Sequence, residues 1–212
     1  MISANIQENI TKARSLMAIK QSFDYIERNL FFGKTKVYML AINGFTQTEV
    51  LQHIVADVQS LSDGEGEIRD LETFIDCKLG FAQVAYVEDW EALIKNLLSG
   101  QTILIVDGFN RAVSIDTRTY PVRSIAEPDT EKVARGATAG FVENIIMNTA
   151  LMRRRIRDPK LAFELHQVGS DSKTDVAIAY IKGKAEEKLI EKVRAKLDGL
   201  KVTSLTMGIQ SL

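Results

Sequence analysis

The chain has 212 residues and a mass of 23.7 kDa, which is enough for one large domain or two small ones. Its 45% hydrophobic and 26% charged residues exclude a wholly disordered protein. Because 27 basic residues oppose 28 acidic ones, the net charge is −1, and the overall positive charge typical of proteins that bind DNA or anionic membranes is absent. The net charge does not exclude a local basic patch.

Cysteine and histidine are rare in this chain. Cys77 is the only cysteine, so an internal disulfide and a zinc site built from thiolates are excluded. We expect its thiol to be packed beside Phe74 and Leu79, and the two histidines, His53 and His166, to be solvated. We therefore predict no catalytic, metal or cofactor site.

No segment has the character of a signal peptide or a membrane span. The N-terminal segment 1–17 lacks a charged region followed by an apolar core. The longest apolar runs, 103–106 and 176–181, are much shorter than the roughly 20 residues that cross a bilayer. We therefore expect a soluble chain in a reducing compartment.

Two segments, 33–61 and 172–200, repeat one pattern at a constant shift and without a gap. In each, a short apolar run rich in β-forming residues is followed by a glycine, Gly44 or Gly183, and then by apolar residues at helical spacing. We predict a further strand before each run, at about 23–31 and 161–168, so that each unit reads strand, turn, strand, glycine turn, helix.

A helix is also predicted before each unit, because segments 8–10 and 16–17 match segments 143–145 and 151–152, again at a constant shift. Internal duplication explains these matches, and a chance likeness between amphipathic elements is the alternative.

An insertion with its own elements separates the two copies. It contains a predicted strand at 82–87, a helix at 90–98, and two strands, 101–106 and 111–115, joined around Asp107-Gly108.

Pro121 and Pro128 bracket a polar stretch, where we place a domain boundary. The predicted domains are residues 1–125, an N-terminal α/β subdomain, and residues 126–212, a second and smaller one. The predicted fold class is therefore α/β, with two tandem α/β subdomains that have mixed sheets and each contain a β-β-α unit preceded by a helix.

Two short motifs resemble functional signatures but fall in predicted turns. Gly33-Lys34-Thr35 lacks the upstream glycine of a phosphate-binding loop and does not open a helix. Ser170 and Lys173 have the spacing of some acyl-transfer nucleophiles, without the rest of that motif set. We therefore predict that the protein is not an enzyme.

Three consecutive arginines, Arg153, Arg154 and Arg155, end a helix predicted to begin near Phe141. They can complement the helix C-terminus, or bind carboxylates across a protein interface, or bind anionic lipid or nucleic acid. Four apolar residues share one predicted face of this helix: Phe141, Ile145, Met152 and Ile156. Because Arg155 lies close to that face, we expect it to be buried and paired within the domain, which leaves Arg153 and Arg154 as a candidate interface.

Motifs in the second half of the chain resemble the A subunits of the GerA-type spore germination receptors. They are residues 127–132, Arg135-Gly136, Gly140-Phe141, Glu143-Asn144, residues 148–151, residues 153–156 and residues 172–176. Further motifs at 118–121 and 205–212 resemble the stage V sporulation branch of that family. We assign a structural role to Arg135, Gly136, Gly140, Phe141, Glu143, Asn144 and Arg155. One departure is Ala137-Thr138-Ala139, where the family usually has a proline or serine, an arginine and an acidic residue.

The resemblance implies the cytosolic N-terminal domain of a membrane protein in the spore inner membrane. In the family a membrane-spanning half follows this domain, and the expected role is non-catalytic, within an oligomeric complex that passes ions during germination. The expected partners are further copies of the protein through the membrane half and other germination proteins of the spore membrane, not nucleic acid. We expect the isolated domain to be monomeric or weakly associated.

The residues alone leave two other functional classes open. A small-molecule-binding module could use the cleft between two α/β lobes. A nucleic-acid-binding module is suggested by the tandem β-β-α units and the arginines, and opposed by the near-neutral charge.

Overall fold

The computed structural model describes residues 1–60, 66–81, 83–119 and 140–203. Helices and strands alternate along these ranges, which confirms the predicted α/β class. The helices are α1 (Ile6–Leu16), α2 (Thr48–Val58), α3 (Leu71–Lys78), α4 (Trp90–Leu98), α5 (Ile145–Arg155) and α6 (Glu187–Asp198). The strands are β1 (Tyr25–Phe32), β2 (Thr35–Ile42), β3 (Val84–Val87), β4 (Thr102–Val106), β5 (Ala112–Ile115), β6 (Leu161–Val168) and β7 (Thr174–Ile181).

Residues 1–119, called here the N-terminal unit, contain a five-stranded sheet in the order β1-β2-β4-β5-β3. Its neighbouring strands all run antiparallel, and two of the four pairs, β1–β2 and β4–β5, are hairpins. The interior strand β2 is buried from Val37 to Ile42, since helices cover both faces of the sheet.

Two hydrophobic clusters fill the space between the sheet and these helices. On one face, Ile10 of α1 and Leu93 of α4 pack with Leu40 of β2. On the other, Ile54 of α2 and Phe74 of α3 pack with the opposite side of the same strands. The N-terminal unit is thus a three-layer α/β/α structure with an apolar core on each side of its sheet.

Residues 140–203, called here the C-terminal unit, contain the antiparallel pair β6-β7. Helix α6 packs on one face of this pair and buries Ile190. The predicted mixed sheets are therefore wrong for the described strands, which pair antiparallel throughout. The predicted boundary between residues 125 and 126 lies outside the described residues.

The internal repeat is confirmed. Strands β2 and β7 begin at Thr35 and Thr174, and helices α2 and α6 begin at Thr48 and Glu187, so strand and helix repeat at the same shift. Gly44 and Gly183 each lie two residues after the strand, with φ angles of +84° and +83°, a conformation that favours glycine. Strands β1 and β6 repeat at a slightly shorter shift, because the β6–β7 turn is three residues longer than the β1–β2 turn.

The helices that precede the repeated strands, α1 and α5, also repeat, but not at the shift that the sequence matches predict. Helices α1 and α5 begin at Ile6 and Ile145, which is the same shift as that of the strands β2 and β7. The predicted and observed shifts differ by four residues, about one helical turn, so the apolar face of the helix looks the same in either alignment. None of the helices that the described residues form has the length and apolar character required to cross a bilayer.

Candidate functional site

The arginine cluster lies where the two units meet, but its buried member is Arg153 and not Arg155. Arg153 has no exposed surface, whereas Arg154 and Arg155 are exposed. The predicted apolar stripe is also wrong, because Phe141 is 66% exposed and the buried residues of α5 are Thr149, Ala150 and Arg153. The buried face of α5 is therefore largely polar, which a search for apolar periodicity misses.

The guanidinium of Arg153 binds the carboxylate of Asp24 with two hydrogen bonds. Nε donates to Oδ2 at 2.8 Å and Nη2 donates to Oδ1 at 2.9 Å, and both side chains are fully buried. Arg153 also donates to the backbone carbonyls of Asp158 and Leu161, at 3.1 Å and 2.9 Å. Such a paired and hydrogen-bonded charge can be buried, whereas an unpaired one is strongly destabilising.

Ser22 joins this ion pair to the second unit. Its hydroxyl donates to Asp24 at 2.5 Å and accepts the backbone N–H of Phe163 at 2.8 Å. The backbone carbonyl of Asp24 accepts the N–H of Asn43 at 2.7 Å. The carboxylate is thus held by its own unit, and Arg153 reaches it from the other.

Two aromatic rings enclose the guanidinium. Its central carbon lies 4.9 Å from the ring centroid of Tyr25 and 5.1 Å from that of Phe163. The Tyr25 hydroxyl donates to the carbonyl of Pro159 at 3.2 Å, and burial raises the pKa of this phenol. The rings add cation–π attraction to the ion pair and separate it from solvent.

Backbone contacts and close packing continue the contact between the two units beyond the ion pair. The Ala18 N–H donates to the Pro159 carbonyl at 2.9 Å, and the Phe23 N–H donates to the Phe163 carbonyl at 3.1 Å. Ala150 packs so closely on Gly44 that a Cβ at Gly44 would lie 2.9 Å from the Ala150 Cβ. We call this set of contacts the junction, and here described residues of the two units meet in packed side chains.

Asparagines begin the two repeated helices in the same way. The side chain of Asn144 accepts the N–H groups of Ile146 and Met147, so this residue of the family motif is the N-cap of α5. Asn5 caps α1 with the same pattern, at the corresponding position of the first copy.

A second asparagine pair holds the chain before each cap. Asn148 bonds the backbone N–H and carbonyl of Val142, at 2.8 Å and 2.6 Å. Asn9 bonds Ser3 in the same two ways. Of the other motif residues, Glu143 is exposed, Gly140 has open space around it, and Arg135 and Gly136 lie outside the described residues.

A second polar cluster lies between α6 and the β6–β7 pair. Arg194 donates to both oxygens of Glu164, at 2.7 Å and 2.6 Å, and the Tyr180 hydroxyl donates to the same carboxylate. The hydrogen bonds from Arg194, with a smaller contribution from Tyr180, lower the pKa of Glu164 to about 2 against the opposing effect of burial. Burial and the bond to Glu164 raise the pKa of Tyr180 to about 12.

The structure contradicts the expected environment of His166 and of Cys77, and agrees with that of His53. His166 is half-buried beside Glu164 and Asp198, so it is not fully solvated, whereas His53 is exposed as expected. Cys77 is exposed, because α3 buries Leu71, Phe74 and Ile75 and turns the thiol away from that face. The described residues form no group of three or more His, Cys, Asp or Glu side chains that could hold a metal ion.

The two rejected motifs lie in hairpin turns, as predicted. Gly33-Lys34 joins β1 to β2, and Ser170 and Lys173 lie in the longer turn between β6 and β7. Neither motif lies at the start of a helix. The arrangement of the described residues is that of a packed structural junction.

Comparison with known proteins agrees with this architecture. The family model described as "Bacillus/Clostridium GerA spore germination protein" matches residues 14–210. Stage V sporulation protein AF of Bacillus subtilis (strain 168) is 36% identical over 96% of this chain and 41% of the relative. Spore germination protein B1 of the same organism is 31% identical over 96% of this chain and 42% of the relative. The chain thus spans about two fifths of the length of these curated relatives.

A solved structure has the same fold over most of the chain. The N-terminal domain of the A subunit of the Bacillus megaterium spore germinant receptor GerK3 matches with a TM-score of 0.69 and 26% identity. The match covers 94% of this chain and 73% of that chain. The resemblance seen in the sequence, to the family and to its stage V branch, is confirmed. The chain belongs to the GerA spore germination protein family.

Proposed function

We propose that this chain is the cytosolic N-terminal domain of a germination protein of the spore inner membrane and acts there without catalysis, as part of an oligomeric, ion-conducting complex. The observation that carries the proposal is the two-unit fold, which is similar to the N-terminal domain of a germinant receptor A subunit over 94% of the chain. The curated relatives named above are sporulation and germination proteins.

A structural role fits the chemistry of the junction. The polar groups of Arg153 and Asp24 that face each other are bonded, and neither side chain is exposed to a substrate. A catalytic charge pair would need an accessible reacting atom. We therefore assign the Arg153–Asp24 pair to holding the two units in one arrangement.

The proposed partners are further copies of the same protein and other germination proteins of the spore membrane. We place membrane attachment and most of the self-association in the remaining length of the protein, as in the family resemblance described above. For the 212-residue chain alone we expect a monomer or a weak association. Sedimentation velocity at several concentrations tests this, and a tight oligomer that persists on dilution would contradict it.

The proposed function is tested by deleting the full reading frame from a spore-forming host and restoring it in wild-type and Asp24→Asn forms. After a germination stimulus, we expect monovalent cations to leave spores more slowly without the gene and at the normal rate when it is restored. Asp24→Asn should restore release poorly, because Arg153 loses its charged partner. Identical ion release with and without the gene would contradict the proposal.

A further inference from the structure

Charge is divided unequally between the two units of this nearly neutral chain. Residues 1–119 carry 11 basic and 16 acidic residues, a net charge of −5, whereas residues 140–203 carry 13 basic and 9 acidic residues, a net charge of +4. The near-zero net charge of the whole chain therefore combines an acidic N-terminal unit with a basic C-terminal unit. A charge asymmetry of this kind often marks an interaction surface.

Much of the positive charge in the C-terminal unit lies at one end of the β6–β7 pair. Leu161 pairs with Ile181 there, and the Lys182 N–H donates to the Lys160 carbonyl at 2.9 Å, so the residues after α5 and after β7 are neighbours. Five exposed basic residues come from these two segments, and we call them the basic patch: Arg155, Arg157, Lys160, Lys182 and Lys184.

Little in the described part of the chain neutralises the basic patch. The side chains of Arg155, Arg157, Lys160 and Lys182 make no hydrogen bond or ion pair with any described residue. Asp158 is the one carboxylate in segments 154–160 and 182–184, and it lies 3.4 Å from the Nζ atom of Lys184. Within the described residues, four of the five cations are thus available to an outside partner.

We propose that the basic patch docks this domain on an anionic phospholipid surface. Long Lys and Arg side chains near an anionic bilayer are attracted by its surface potential, and an exposed apolar neighbour strengthens such binding. Ile156, which is 39% exposed, lies between Arg155 and Arg157 in the chain and can supply that contact.

A nucleic acid is the less suitable partner. Surfaces that bind single strands combine cations with aromatic rings on which bases stack, and neither of the two segments, 154–160 and 182–184, contains an aromatic residue.

The inference deepens the proposed function, on which it rests for the location of the domain beside a membrane. Vesicle binding by the 212-residue chain tests the patch, whereas ion release from spores tests the proposed function. The proposal for the basic patch and the proposed function can therefore fail separately.

The experiment measures partitioning of the chain onto vesicles of phosphatidylglycerol mixed into phosphatidylcholine, with pure phosphatidylcholine vesicles for comparison. We compare Arg155→Gln/Arg157→Gln/Lys182→Gln with the control Lys34→Gln/Lys36→Gln/Lys95→Gln, which removes three charges from the N-terminal unit. Circular dichroism melting curves establish that both triple variants are folded.

We expect binding to the anionic vesicles at low salt, weaker binding as salt rises, and none to the neutral vesicles. At about fivefold for each charge, the patch variant should lose about 100-fold in partition coefficient, and the control variant only a few fold. Equal losses in the two variants, no binding to anionic vesicles, or tighter binding to duplex DNA that the patch variant abolishes would each overturn the proposal.

Discussion

Arg14 and Arg153 occupy the same position in the two repeated helices, α1 and α5, but they bind carboxylates in different ways. The Arg14 Nε atom donates to Glu27 at 2.7 Å within the N-terminal unit, and its side chain is 33% exposed. Arg153 binds Asp24 across the junction and is fully buried. One helical position therefore stabilises a single unit in the first copy and joins the two units in the second.

The first prediction compares these two positions. Arg153→Gln should lower the free energy of unfolding by about 3–5 kcal/mol, because Asp24 is then left charged and unpaired in the interior. Arg14→Gln should cost less, since water can replace part of the lost contact with Glu27. Urea denaturation of the 212-residue chain measures both values.

A surface ion pair provides the control for this comparison. Arg111 binds Glu72 at 3.1 Å, and the glutamate is mostly exposed, so Arg111→Gln should cost about 0–1 kcal/mol. If Arg153→Gln cost no more than Arg111→Gln, the stabilising role of the buried pair would be refuted.

The second prediction uses the two equivalent glycines. Both Gly44→Ala and Gly183→Ala place a side chain at a positive φ angle, which costs roughly 1–2 kcal/mol. Only at Gly44 does the new Cβ also meet another helix, 2.9 Å from the Cβ of Ala150, whereas nothing lies within 4 Å of it at Gly183. Gly44→Ala should therefore lower the urea midpoint more than Gly183→Ala, and equal midpoints would show that α5 does not pack on this turn.

Some of this structure follows from the sequence. Apolar runs, glycine turns and helical spacing predict the repeated strands and helices, and also the helix α4 that follows Asp89, because these patterns are local. The same patterns do not predict helix α3, although Asp70, which accepts the N–H of Thr73, is a recognisable N-cap.

The junction cannot be predicted in the same way. Asp24 lies 129 residues before Arg153, and nothing in the local pattern distinguishes Arg153 from the two arginines that follow. An apolar stripe along the helix favours burial of Arg155, but the buried face of α5 is formed by Thr149, Ala150 and Arg153. A polar face can be recognised as buried only when its partner is known, and that partner comes from the other unit.

The third prediction concerns acid. The pKa of Glu164 is about 2 in the folded protein and about 4.5 ordinarily, so the unfolded state binds more protons between these values. Stability from Glu164 is therefore present above about pH 4.5 and is lost as the pH falls toward 2. The stability difference between wild type and Glu164→Gln should narrow over that range, as urea midpoints at pH 6, 4 and 3 can show.

Glu191→Gln, at an exposed position of α6, controls for the loss of one acidic residue. A wild-type to Glu164→Gln difference that stays constant from pH 6 to 3 would be incompatible with a carboxylate held by Arg194 and Tyr180.

The fourth prediction concerns Arg154, the exposed neighbour of Arg153 and still a candidate for a protein interface. Arg154→Ala should leave the melting temperature of the 212-residue chain within the small range usual for surface substitutions, because its side chain is not buried. In the full-length protein the same substitution should slow germination. Normal germination by Arg154→Ala spores would remove this residue from the proposed interface.

The buried pair of Arg153 and Asp24 is the contact that we expect to hold the two units in one arrangement. Spin labels at Lys95→Cys in α4 and Lys192→Cys in α6 report the distance between the units once Cys77 is replaced by serine. Pulsed electron–electron double resonance should give one narrow distance distribution, which Asp24→Asn broadens and Arg111→Gln leaves unchanged. A broad distribution in the parent chain, or one that stays narrow in Asp24→Asn, would contradict this role.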